Sequence, residues 1–370
     1  MGDKRRFWIG FNLAHGIGAA RLRLLLDVFG DIETAWGASE ADLLDTGLGE
    51  TFVRAIVKAR DKLDLDRELA RIEESGFQVF TWEDTNYPER LREIDAPPPV
   101  LYAWGSISPE DRWAAAVVGT RKPTSYGRLV AEEVSAGLAA SGVTVVSGLA
   151  RGIDGIAHRG ALEAGGRTIA VLGSGLDCIY PPEHRKLAEE IAESGAIITD
   201  YPLGTAPEAR NFPPRNRIIS GMALAVVIVE AGEGSGALIT GDFAASQGRE
   251  VFAVPGSIFS AASRGTLSMI RAGANPLTSV GDVLEALNLE AVIRQEQASK
   301  ELPEDAVERK LLEVLTSDPV HIDELHAESG LPVSQVTAAL AMLELKGRVR
   351  QVGGMQFVRT RESGPAYRVE

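Results

Sequence analysis

The sequence predicts an α/β fold built on a mostly parallel sheet, with a small helical domain before it and a winged helix after it. Three observations carry this. Between residues 114 and 254, short apolar runs of strand length alternate with stretches rich in Ala, Glu and Leu, which is the mark of βαβ units. Ahead of them the first 72 residues carry helical periodicity alone. Behind them, helical stretches lead into a glycine-punctuated hairpin.

Residues 1–72 read as short helices. Gly16-Ile17-Gly18 and Gly47-Leu48-Gly49 each precede an amphipathic run, 21–29 and 51–63. A small Gly-x-Gly turn lets two helices approach closely, as in a helix-hairpin-helix. Such a hairpin either offers backbone N–H groups to DNA phosphates or serves as a compact interaction module, and both readings stay open here. Tyr87-Pro88 and Ala96-Pro97-Pro98-Pro99 follow; they cannot be helical and mark a boundary or a strand edge.

The central domain spans 75–290, with strands expected over 114–118, 143–146, 168–172, 196–198, 224–229 and 251–254. Near 288–305, Glu, Gln and Lys replace apolar periodicity. The last domain, 304–361, has helices expected over 306–315, 322–329 and 334–346, then a hairpin over 348–352 and 355–359 turned by Gly353-Gly354. Helices followed by such a hairpin make a winged helix-turn-helix. Its recognition helix contains Glu344 and only Lys346 as a basic residue, so base-specific reading of a major groove is not expected. Arg348, Arg350, Arg359 and Arg361 on the hairpin suit protein contact or weak duplex contact.

Composition narrows the function. The 370 residues are 45% apolar and 24% charged, a soluble globular balance sized for two or three domains. No apolar run reaches the roughly 20 residues of a membrane span, and Lys4, Arg5 and Arg6 are not followed by a signal-peptide core, so a cytoplasmic protein without membrane contact is expected. Cys178 is the sole cysteine and the five histidines are scattered, so neither an intrachain disulfide nor a metal site is expected, and no cofactor is called for. The net charge of −14 speaks against wrapping nucleic acid indiscriminately. Its distribution matters more: residues 1–116 carry 14 basic and 21 acidic side chains, 117–275 carry 14 and 15, and 276–370 carry 10 and 16.

In open α/β sheets ligands gather beyond the carboxyl ends of the strands, where helix N-termini expose N–H groups to anions. The loops there are informative. The first offers Gly119, Thr120, Arg121 and Lys122; the second Ser147, Gly148 and Arg151, with Asp154 placed to cap the helix that carries His158; the third Gly173-Ser174-Gly175, leading through Tyr180-Pro181-Pro182 to a helix with Arg185 and Lys186. The fourth passes Arg210 and Asn211 into Phe212, Arg215, Asn216 and Arg217, an aromatic beside guanidinium forks. Bases stack on the first and phosphates suit the second, which fits a single strand. The fifth follows Glu230 with Ser235, Gly236 and Thr240.

Structural readings run alongside. Arg217 and Glu230 can form an internal ion pair, and His158 reads more as a hydrogen-bonded helix residue than as a base. No paired carboxylates, nucleophile elbow or Walker lysine appears, so no catalytic residue is assigned.

Taken together these residues resemble the bacterial DNA-processing protein A family. The resemblance rests on Gly119-Thr120-Arg121, on Ser147-Gly148, Ala150, Gly152-Ile153-Asp154 and His158, on Gly173-Ser174-Gly175, on Tyr180-Pro181, on Phe212-Pro213 with Arg215-Asn216-Arg217-Ile218-Ile219-Ser220-Gly221, and on Ser235-Gly236 with Thr240. It implies a Rossmann-like, non-enzymatic protein that binds single-stranded DNA in natural transformation, loads a RecA-type recombinase and acts as a homodimer. By motif, Arg121 and Arg215 to Arg217 would hold phosphates, Phe212 would meet a base and Lys186 would lie near the strand's path. The N-terminus resembles the sterile-alpha-type module of some members. A second reading is a phosphoribohydrolase-type enzyme on a related fold with Glu230 as acid or base, although 231–240 does not read Pro-Gly-Gly-x-Gly-Thr. A third is a transcription regulator that uses the winged helix.

Overall fold

The computed structural model describes residues 3–287, 306–315, 320–345 and 348–359. The chain divides into two compact units, Met1–Leu287 and Asn288–Glu370.

The first unit opens with helices α1 (Arg5–Leu13), α2 (Ala19–Phe29), α3 (Ile32–Gly37), α4 (Glu40–Asp45), α5 (Glu50–Lys62) and α6 (Leu65–Glu74). Polar side chains define where several of them start. Asp31 caps α3, Ser39 and Asp42 form a capping box on α4, and Asp64 caps α6. The two Gly-x-Gly turns stand directly before α2 and α5, with Gly16, Gly47 and Gly49 in the positive-φ region. Trp8, Phe11, Leu25, Ile32, Leu43 and Ile56 are buried between these helices. Their core does not close on itself: it runs on into Val79, Tyr102, Leu172, Ile191 and Ile197. Tyr102 Oη donates to Asn12 Oδ1 at 2.9 Å, and Trp8 meets Trp82 edge-on at 5.6 Å. The expected division between 1–72 and 75–290 is therefore a change of secondary structure within one packed unit, not a break in packing.

Among the described residues the sheet of the first unit has nine strands. After β1 (Gln78–Thr81), the single-turn α7 (Glu89–Arg92) leads to the prolines that feed β2 (Val100–Gly105). The chain then lays down β3 (Ala114–Val118), α8 (Ser125–Ala140), β4 (Thr144–Ser147), α9 (Ile153–Glu163), β5 (Thr168–Val171), α10 (Arg185–Ser194), β6 (Ala196–Thr199), α11 (Phe212–Met222), β7 (Ala225–Ile228), α12 (Gly236–Ser246), β8 (Glu250–Ala253), α13 (Arg264–Arg271) and β9 (Asn275–Pro276). The strand order is β1-β2-β6-β5-β4-β3-β7-β8-β9. From β6 to β9 all pairs are parallel, while β1, β2 and β6 pair antiparallel. Strands β3 to β7 are buried along their length, the continuous apolar pattern of a sheet covered on both faces. The order reverses at β3, with β4 on one side and β7 on the other, so the switch point lies between β3 and β7.

Sequence reasoning missed β1, β2 and β9. The first two flank proline-rich loops that hide their period, and β9 is two residues long.

In the second unit, helices Ala306–Val314, Ile322–Ser329 and Val333–Leu345 pack through Leu311, Leu325, Val336, Leu340 and Leu343. Gly330, left-handed at φ 64°, ends the second helix. The hairpin Val349–Gly353 and Gln356–Arg359 gains a short third strand, Val320–His321. Glu344 Oε1 accepts the Gln351 N–H, and Arg359 Nη1 donates to Leu312 O at 2.8 Å, so both side chains serve the unit internally. Lys346, Arg361, the 288–305 boundary and the expected limits 304 and 361 lie outside the described residues. Among the described residues no helix is long and apolar enough to cross a membrane.

Candidate nucleic-acid interface

The loops that leave β3, β4, β5, β6 and β7 meet on the carboxyl edge of the sheet. Their mutual packing comes first. Thr120 N donates to Glu230 O at 2.7 Å, tying the β3 loop to the end of β7. Gly152, at φ 78°, stands so close that a Cβ there would be 2.4 Å from Thr120 O, which ties the β4 loop to the β3 loop. Gly119 is wedged against Ile153 of α9.

At the β4–β5 end the edge opens onto an aromatic. Phe212 is the first residue of α11 and lies over Gly173, where a Cβ would be 3.0 Å from its ring. The Arg121 guanidinium stands 5.5 Å from the ring centroid, Arg215 stands 5.8 Å away, and the Tyr180 ring is 5.9 Å away. Arg151 in turn lies 6.0 Å from the Tyr180 ring and pairs with Glu183. Arg121 and Lys122 are exposed and have no acidic partner within 4 Å among the described residues. The result is a half-buried aromatic with the exposed Arg121 on one side and Tyr180 with the exposed Arg151 next to it, the combination that receives a base and the phosphates beside it.

Not every expected contact points outward. Arg215 is 4% exposed; its Nη1 donates to the carbonyls of Gly148 and Val171. A Cβ at Gly148 would be 2.6 Å from Arg215 Nη2 and 2.8 Å from Asp154 Oδ2, so only glycine lets both charges flank this turn. Burial holds the Asp154 carboxyl above its ordinary range, against the opposing pull of Arg215, and draws the Arg215 guanidinium down to about 10. Asn216 Nδ2 donates to Gly236 O at 3.1 Å. Arg217 pairs with Asp200 at 2.6 Å, not with Glu230. Arg215 to Arg217, expected to hold phosphates, have polar groups taken up by the protein that join loops to one another, and of the three Arg215 and Asn216 are buried.

The same holds for other expected contacts. Ser147 is fully buried and donates to Val117 O at 2.7 Å, Ser174 Oγ donates to Cys178 O, and Thr240 is 1% exposed. Asn211 donates to Ala206 O, and its own carbonyl accepts from Tyr201 Oη. Gly236 is exposed and open, while Ser235 caps α12 through Ala237 N. Lys186 is 88% exposed in its side chain and stands 3.9 Å from Glu190 on α10; Arg210 reaches outward and pairs with Glu208 at 2.7 Å.

Helix starts also give less than expected. Prolines 213 and 214 remove N–H donors from the first turn of α11. Thr124 N donates to Glu230 Oε2 at 2.9 Å and Thr124 Oγ1 to Glu230 Oε1, so the α8 start is satisfied by a carboxylate. That buried carboxylate, the acid or base of the enzymatic reading, is thereby committed to helix capping. Asp154 sits inside the first turn of α9, where Gly152 is the cap, and accepts from Ala150 N at 3.4 Å instead of capping. His158 is fully buried against Thr168 Oγ1 at 2.7 Å, and burial pushes it down to about 3. Asp200, Thr124 and Tyr201 escaped sequence reasoning because no motif ties them to their partners Arg217, Glu230 and Asn211, which stand 17, 106 and 10 residues on. Among the described residues no cluster of His, Cys, Asp or Glu could hold a metal ion.

Residues 78–288 match a family described as DNA recombination-mediator protein A, and residues 295–355 match a DprA winged helix domain. Protein Smf of Synechocystis sp. is 35% identical over 96% of this chain and 99% of its own length. DNA processing protein DprA of Bacillus subtilis is 38% identical over 68% of this chain and 88% of its own. The X-ray structure of DNA processing protein A from Streptococcus pneumoniae superposes with a TM-score of 0.68 at 34% identity, covering 76% of this chain and 97% of that one. The Helicobacter pylori protein, solved for its single-stranded DNA binding mode, superposes at 0.52 with 29% identity over 58% of this chain and 98% of its own.

Proposed function

From the premise that this chain belongs to the DNA recombination-mediator protein A family, we propose that it binds single-stranded DNA along the carboxyl edge of its sheet. It then passes the strand to a RecA-type recombinase, acting as a cytoplasmic homodimer that makes no covalent change to the DNA. The observation that carries the reading is the Phe212 ring with the unpaired, exposed Arg121 against it. Arg121, Lys122 and Arg151 take phosphates around that ring, with Lys186 and Arg210 farther along the path. Phe212 takes a base. Ser147, Gly148, Arg215, Asn216 and Arg217 act one layer beneath, holding the loops in place. The recruitment of Glu230 to the α8 cap supports binding without hydrolysis. The related single-strand-binding structure supports the choice of ligand. In this reading the winged helix contributes protein contact or weak duplex contact, not sequence reading.

A gel-shift competition on the full chain tests the binding: single strand should be retained in excess of duplex, with affinity falling steeply as salt rises. Equal retention of duplex, or no single-strand complex at low salt, sinks the reading. Loading is tested separately, by recombinase assembly on a strand already coated with a competing single-strand binder.

A further inference from the structure

A second aromatic on the carboxyl edge belongs to no part of the Phe212 cluster. After β8 the chain turns through Ser257, Ile258, Phe259 and Ser260, with Ser260 N donating to Ser257 O at 3.0 Å and Phe259 N to Ser257 Oγ at 3.3 Å. The tip of this turn leaves Ile258 73% and Phe259 91% exposed, the two highest values among large apolar side chains of the described residues. The segment around the tip is anchored to the loops of the proposed strand path. Tyr126 Oη, from the first turn of α8, donates to Pro255 O at 3.0 Å, and Gly265 N donates to Ala231 O at 2.8 Å.

Two features define what such a tip receives. Residues 251–275 contain no Asp or Glu, and Arg264, which opens α13, is exposed with no acidic partner within 4 Å among the described residues. An aromatic on a stretch of chain without carboxylates that also carries an unopposed cation fits a polyanion with π-faces. Phe259 follows β8 and Phe212 lies over Gly173, which follows β5, and along the carboxyl edge the ends of these two strands are separated by the order β5-β4-β3-β7-β8, about 19 Å at about 4.8 Å per strand. At about 3.4 Å per stacked nucleotide that is roughly six nucleotides, and fewer when the strand is stretched.

We propose that Phe259, flanked by Ile258, is a second base platform for the same single strand, with Arg264 holding a neighbouring phosphate. This rests on the single-strand reading above. The test uses the full chain and a series of oligothymidylates from about 4 to about 16 nucleotides. Phe259→Ala should weaken binding of the long strands by roughly 5- to 150-fold and leave the shortest unchanged. Phe259→Trp should keep the affinity that Phe259→Leu loses, since stacking needs a ring. Arg264→Ala should lower the salt slope by about one, and Phe259→Ala should leave it unchanged. Unaltered binding of Phe259→Ala at every length, or equal loss at every length, overturns the second platform and leaves the Phe212 site standing. A Phe259→Ala chain that sediments as a smaller species with unaltered DNA affinity makes the tip a contact between copies and also overturns it. Failure of the unmodified chain to bind any oligonucleotide overturns the underlying reading instead.

Discussion

The switch point between β3 and β7 and the β4–β5 end of the same edge are built from similar glycine-rich loops, yet they differ in what they leave open. At the switch point the Glu230 carboxylate takes up the Thr124 amide and hydroxyl, its backbone oxygen takes the Thr120 amide, and the crevice is occupied by protein. A buried carboxylate there also repels phosphate. At the β4–β5 end the two prolines of α11 remove two amides from its first turn, and Arg121 and Arg151 reach out around Phe212 and Tyr180. Topology marks where ligands gather in α/β sheets, but the residue at the end of one strand decides which part of the edge is available.

The sharpest way to test this division is to remove its two arginines in turn. Arg215→Ala strands the Gly148 and Val171 carbonyls beside a buried Asp154, and should lower stability by about 3–5 kcal/mol in denaturant unfolding. Arg121→Ala should leave the unfolding midpoint in place; a comparable loss of stability in both variants would erase the distinction between inner and outer layers.

Acid tests the inner layer next. The folded pKa of His158 is pushed below its unfolded value to about 3, so below about 6.5 the unfolded chain binds the extra proton and stability falls as pH falls. From pH 7 to pH 5 this one group should remove about 2 kcal/mol. A His158→Gln chain should show a correspondingly shallower dependence over that range, and superimposable curves would discard the assignment.

For the outer layer, Arg121→Ala should weaken single-strand binding by about 1 kcal/mol regardless of sequence and reduce the slope of log affinity on log salt by about one. An unchanged slope takes Arg121 out of the phosphate path. Glu230→Gln should have the smallest effect: about 1 kcal/mol of stability through a weaker α8 cap, with DNA affinity retained. Incubation with nucleoside monophosphates should release no free base with either chain, and sustained turnover lost on that substitution would restore the enzymatic reading.

The fold was legible because its parallel strands are buried on both faces and therefore spell apolar runs such as Ala114–Val118. The edge was legible as a set of loops, since glycines after strands declare themselves. Which side chains look outward was not. Arg215 and Arg217 are indistinguishable from Arg121 by type, and what engages them internally is the Gly148 and Val171 carbonyls with Asp154 for the first and Asp200 for the second. The exposed Phe259 carried no motif, because a lone aromatic in a serine-rich turn reads as a loop until its surroundings are seen.

Asn12 gives the N-terminal helices a practical bearing on all such experiments. Its carbonyl receives the Tyr102 hydroxyl and its amide donates to Asp200 O, on the very residue that steadies Arg217. Cutting the chain after α6 would strip a polar clasp from the floor of the sheet's carboxyl edge and bare tryptophan-lined surface to water. A shortened protein that binds poorly would then report a damaged foundation, so point substitutions on the intact chain are the cleaner instrument for dissecting this edge.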